Sequence, residues 1–162
     1  MVPTTPAYSP PPDEGLAIRY IDAALLIVDK PAGLLSVPGR GLDKQDSLAS
    51  RVQARYPGAR VVHRLDMSTS GLLVLALDAD IQRALGRQFE LRQVDKRYVA
   101  VVAGRVADME RTIDLPLITD WPNRPRQIVD FVRGKPALTR LQVLAYDAAS
   151  DTTRVHLMPE TG

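Results

Sequence analysis

The run His63-Arg64-Leu65-Asp66-Met67-Ser68-Thr69-Ser70-Gly71 sets a carboxylate two residues from a guanidinium in a polar turn. The turn leads straight into Leu72-Leu73-Val74-Leu75-Ala76. Such an apolar run predicts a strand buried on both faces, which would hold Asp66 at the lip of a core. A carboxylate placed there is a candidate nucleophile or base for cofactor-free chemistry, because a neighbouring cation favours its charged form. The same D-x-x-T-S-G spacing also suits an aspartate that merely caps the turn before the strand. Both readings stand on these residues alone.

Composition narrows the chemistry. The 162 residues contain no cysteine, which removes disulfides and thiolate metal sites and fits a reducing, cytoplasmic setting. Two histidines, His63 and His156, make a histidine-rich metal centre a poor expectation. No apolar run reaches the roughly 20 residues of a bilayer span. Met1 to Pro12 has neither a basic flank nor an apolar h-region, so it does not read as a secretory signal. Its prolines and threonines suggest a loose tail over 1–15. Net charge is only +2, yet the cations cluster. Arg51, Arg55, Arg60 and Arg64 fall in an acid-free stretch, and Arg124, Arg126, Arg133, Lys135 and Arg140 meet only Asp130. Two such segments suit a surface that follows phosphates, although a solvated face has the same composition.

The elements that must position Asp66 follow an α+β pattern. Leu25 to Val28 reads as a short strand, closed by the turn Asp29-Lys30-Pro31-Ala32-Gly33. Asp46 or Ser47 can cap a helix with Leu48, Val52 and Tyr56 on one face, ended by Pro57-Gly58. A second helix is expected from Asp78 to about Val94, with Ile81, Leu85 and Phe89 in register. Tyr98 to Ala103 reads as a strand stopped at Gly104, and further strands are expected near 112–118, 126–133, 137–146 and 153–158. The implied architecture is a largely antiparallel sheet with flanking helices, in one domain over 16–162.

Three segments in order carry a resemblance: Asp29-Lys30-Pro31-Ala32-Gly33-Leu34, His63-Arg64-Leu65-Asp66 with Thr69-Ser70-Gly71, and Lys96-Arg97-Tyr98-Val99-Ala100. From Leu16 onward the chain resembles the RluA family of pseudouridine synthases. Ser36-Val37-Pro38-Gly39-Arg40, and Asp114-Leu115-Pro116-Leu117 leading to Asp120-Trp121-Pro122-Asn123-Arg124-Pro125, are most similar to its dual-specificity branch. The resemblance implies isomerisation of chosen uridines in structured RNA, without metal or cofactor. Its implied substrates are stem-loops of 23S ribosomal RNA and the anticodon arm of transfer RNA, and a monomer is expected. It makes Asp66 the catalytic residue and gives Arg64 the space left by an everted base. Tyr98 would stack on the flipped uracil, Trp121, Arg124 and Arg126 would meet the RNA loop, and His63 would orient its neighbours at the substrate. Whether Asp66 adds to the base, attacks C1′ or takes a 2′ proton stays open.

One departure accompanies the match. The chain stops at Pro159-Glu160-Thr161-Gly162, where the family continues into G-R-[ST]-H-Q-[IL]-R, whose arginine pairs with the catalytic aspartate. The expectation is therefore a fold incomplete at the C-terminus and a fragment of little or no activity. A catalytically dead RNA-binding module is the alternative. A glycosidic hydrolase is weaker still, because no second acid lies near Asp66.

Overall fold

A computed structural model describes residues 8–161. Two compact units divide the chain, one running to Glu90 and the other starting at Leu91.

In the first unit, strands β1 (Ile18–Ile21), β2 (Leu25–Lys30), β3 (Arg60–Val61) and β4 (Gly71–Ala76) form an antiparallel sheet in the order β1-β2-β4-β3. Alternation along β2 sends Leu26, Val28 and Lys30 inward. Leu73 and Leu75 of β4 meet them, and Leu34, Leu48, Val52 and Ala59 complete the core. Helix α1 (Leu48–Arg55) begins on a reciprocal cap, Ser47 accepting from Ser50 N while the Ser50 hydroxyl accepts from Ser47 N. Leu48 and Val52 then fall on one buried face, as the sequence spacing requires. Helix α2 (Ala79–Glu90) packs on β4 and β3, with Gln82 Nε2 donating to Val61 O at 2.8 Å.

Four sequence expectations shift in this unit. Leu72 is 56% exposed, so β4 is not covered on both faces where it leaves the Asp66 turn. Strand β2 runs on through Lys30 instead of closing before Asp29, because Lys30 keeps the inward parity. Helix α2 ends at Glu90, short of Val94: the chain turns at Leu91 and Arg92, and Arg92 takes a left-handed φ of 59°. Strands β1 and β3 were not anticipated at all.

The tail is also less loose than its composition suggests, from Tyr8 onward. The Tyr8 hydroxyl donates to Asp46 O and accepts from Leu35 N, both at 3.0 Å. Arg51 grips Asp46 through Nε at 2.8 Å and Nη2 at 2.7 Å, and Nη2 also donates to Pro11 O at 2.7 Å. That bidentate hydrogen bond, ahead of the bare charge of Arg51, holds the Asp46 carboxyl below its ordinary 3.8. A lowered folded value means stabilisation that is complete above 3.8 and lost as pH falls through the folded value. Asp46→Asn should therefore flatten the acid limb: its urea midpoint should fall less than that of the wild type between about pH 5 and about pH 3.

The second unit is a sheet in the order β5-β10-β9-β6, from Tyr98–Ala103, Thr152–Pro159, Leu138–Asp147 and Glu110–Asp114. Every pairing in it is antiparallel. Beside it lies the hairpin β7 (Leu117–Thr119) and β8 (Gln127–Val129). The α+β, antiparallel architecture read from the sequence is the one observed. No helix among the described residues is long and apolar enough to cross a membrane.

Candidate active site

The segment 63–69 is pinned to the first unit at alternate residues. His63 Nε2 accepts from Val74 N at 3.1 Å, which requires that nitrogen to be unprotonated. Its ring stacks on Phe89 of α2, with centroids 4.6 Å apart. Leu65 is clamped on both sides by Ser36, whose Oγ accepts from Leu65 N at 3.0 Å and donates to Leu65 O at 2.6 Å. Met67 O accepts from Gly33 N at 2.7 Å and from Lys30 Nζ at 3.2 Å. Gly33 reaches it from φ +85°, a conformation natural to glycine. Between these anchors Arg64 and Asp66 stay exposed. A turn bond from Thr69 N to Asp66 O, 3.1 Å, closes the loop. Its backbone is fixed while both charged side chains are left at the surface. That is the geometry a reacting carboxylate needs, because orientation is settled before substrate arrives.

Lys30 is the residue the sequence reading undervalued. Its side chain has no exposed surface, and Nζ donates to Pro31 O at 3.0 Å, Leu34 O at 2.7 Å and Met67 O at 3.2 Å. Burial pushes its ammonium below the usual lysine value, and the charge of Asp66 works in the opposite direction. The cation electrostatically coupled to Asp66 from within the fold is therefore Lys30, and no ion pair between Arg64 and Asp66 exists among the described residues. The signal was present in the sequence: Leu26, Val28 and Lys30 share one parity, so a lysine occupied a core position.

A cleft of about 630 Å³ lies beside this lysine, lined by Pro11, Glu14, Asp29, Arg51 and Ser70 among others. Arg51 is engaged with Asp46, and Asp29 with Arg19 at 2.8 Å, and Asp66 is not among its lining residues. We assign it no reaction.

In the second unit, Tyr98 opens β5 half-buried, opposite Leu157 of β10. Trp121 heads a short 3₁₀ turn, Trp121–Asn123, at the tip of the β7–β8 hairpin, and is 67% exposed. The Arg124 guanidinium lies 4.5 Å from the centroid of its ring, with Nε donating to Trp121 O at 3.2 Å. Indole and guanidinium thus form one exposed platform, with Arg126 beside it. Among the described residues no three His, Asp or Glu side chains gather as a metal-holding group.

Comparison with known proteins gives a consistent result. The family described as RNA pseudouridylate synthase matches residues 24–162. The dual-specificity RNA pseudouridine synthase RluA of Escherichia coli K12 is 51% identical over 155 residues, which is 96% of this chain and 70% of that protein. The protein of the same name from Vibrio parahaemolyticus is 51% identical over 158 residues, 96% of this chain and 63% of the relative. Human RNA pseudouridylate synthase domain containing 1 superposes with a TM-score of 0.75 at 31% identity, covering 95% of this chain and 63% of that one.

Proposed function

Since the chain belongs to the RNA pseudouridylate synthase family, we propose that it isomerises specific uridines of structured RNA with Asp66 as the catalytic carboxylate. The reaction breaks the bond from C1′ to N1, turns the uracil and joins C5 to C1′. The C5 proton is released and N1 gains one, so atoms balance without a redox partner. Each role open to Asp66 requires an ionised, oriented carboxylate at the ribose of a nucleotide lifted from its stack. The observation that carries this reading is the exposed Asp66 on a loop locked by Ser36, Gly33 and Lys30.

The other residues take supporting roles in this proposal. Arg64, exposed beside Asp66, enters the space left by the everted base. Tyr98 offers a flat face to the flipped uracil. The Trp121–Arg124 platform and Arg126 receive an unpaired base of the RNA loop, stacking being tolerant of base identity. His63 acts as a positioning residue through Val74 and Phe89. The names of the bacterial relatives favour a dual choice of RNA substrates. In this proposal these are ribosomal RNA and transfer RNA stem-loops, as the sequence resemblance implies, and the protein acts as a monomer in the cytoplasm without cofactor. Both units are proposed to form one catalytic domain. The chain spans 70% of the E. coli relative, and full turnover is proposed for a protein of that length. The 162 residues alone are expected to bind RNA with little or no turnover.

The test uses a stem-loop carrying uridine tritiated at C5. Tritium release with pseudouridine in the RNA is the expected result for a protein of the relatives' length. RNA binding with no release at that length would replace this reading with an inactive RNA-binding module, and free uracil would indicate a hydrolase.

A further inference from the structure

A second concave site lies in the unit that begins at Leu91. It is a cleft of about 420 Å³ whose charged lining is Arg92, Lys96, Arg97 and Arg140 with Asp95 and Glu160. Four cations against two carboxylates give it a positive excess. Glu160 is already engaged, holding Arg140 through Nε at 2.8 Å. No hydrogen bond or ion pair occupies Arg92, Lys96 or Arg97 among the described residues. Lys96 is half-buried, and no ion pair joins it to Asp95, the other carboxylate of the cleft. Clustered cations that find no partner in their own chain suit a multivalent anion from outside.

Arg92 adds an independent observation. It holds φ 59° directly after α2, the left-handed position where glycine or asparagine normally ends a helix. A side chain kept at a strained backbone position, lining a cleft with an excess of cations, points to use of that side chain. Lys96 and Arg97 immediately precede Tyr98 in the chain, which places the cleft next to the residue proposed to hold the flipped uracil.

We propose that this cleft is a phosphate-binding subsite, in which Arg92, Lys96 and Arg97 take the phosphodiester backbone of the RNA flanking the target nucleotide. This rests on the reading of the chain as an enzyme acting on RNA and adds where the strand is gripped. The contacts are to phosphates, so they set the register of the strand without reading its sequence.

In a protein of the relatives' length, the experiment measures affinity for a uridine-containing RNA stem-loop as a function of salt, beside tritium release from the same RNA. Replacing Arg92, Lys96 and Arg97 together with glutamine should weaken binding by about 10- to 100-fold near 0.1 M salt and make the slope of log K against log salt shallower by about two to three. Arg92→Gly is the second variant. It should melt no lower than the wild type, because glycine relieves the left-handed strain, and should still make the slope shallower by about one. Unchanged affinity and slope in both variants, with tritium release intact in the wild type, would overturn the subsite alone. A shallower slope in a protein that releases no tritium would keep the subsite and overturn the isomerase reading. A wild type that neither binds nor isomerises would overturn both.

Discussion

Asp66→Asn lowers uridine isomerisation by at least about 10³-fold in a protein of the relatives' length, while affinity for the RNA stem-loop stays within about threefold. The amide keeps the shape of the carboxylate and removes its charge, its basicity and its nucleophilicity together. The fold has little at stake in that carboxylate. Asp66 is exposed, and the loop is held through the backbone of Leu65, Met67 and Asp66 and the ring of His63. A stability change within about 0.5 kcal/mol is therefore expected, typical of a surface substitution. Tritium release from the wild type and the variant, measured beside RNA affinity by filter binding, separates chemistry from recognition. Residual activity above about a tenth of wild type would remove Asp66 from the reacting position, because a general acid or base alone contributes about 10²- to 10⁴-fold.

The sequence made the chemistry legible and left part of its support hidden, for physical reasons that differ by residue. Asp66 and its loop were readable because the polar turn ran into an apolar strand, and β4 does begin at Gly71. Strand β5 was readable for the same reason, its six residues ending where Gly104 takes φ +78°. Helix α1 announced itself through Ser47 and the face shared by Leu48 and Val52. Strand β3 spans only two residues, and β1 holds no buried residue, so neither leaves a period-two signal long enough to find. The clamp by Ser36 and the tether by Tyr8 join residues 29 and 27 positions apart. No local pattern encodes such contacts, because they depend on where the sheet brings the chain back. The inward place of Lys30 was hidden for another reason: its neighbours Pro31 and Gly33 advertise a turn, and that signal masked the parity it shares with Leu26 and Val28.

Lys30→Met should destabilise the chain by about 1–3 kcal/mol. Methionine fills a similar volume, so the cavity contribution is small and the loss falls on the polar network. The buried carbonyl of Leu34, and those of the exposed residues Pro31 and Met67, lose their shared donor. A buried carbonyl left without a partner costs about 1–3 kcal/mol, so the loss falls mainly at Leu34. Gly33 N still reaches Met67 O, so the Asp66 loop loosens without detaching. Turnover should consequently fall even at temperatures where the variant stays folded, an effect that Ser36→Ala should reproduce by freeing Leu65. A titration identifies the ammonium as the cause. Burial lowers the folded value of Lys30 below 10.5, so the unfolded chain binds more protons between the two values and stability rises with pH across that window. Methionine cannot titrate. The gap in urea stability between wild type and Lys30→Met should therefore widen as pH climbs from neutrality toward 10.5. A gap that stays constant or narrows would mean that Lys30 is not the buried charge beneath the Asp66 loop.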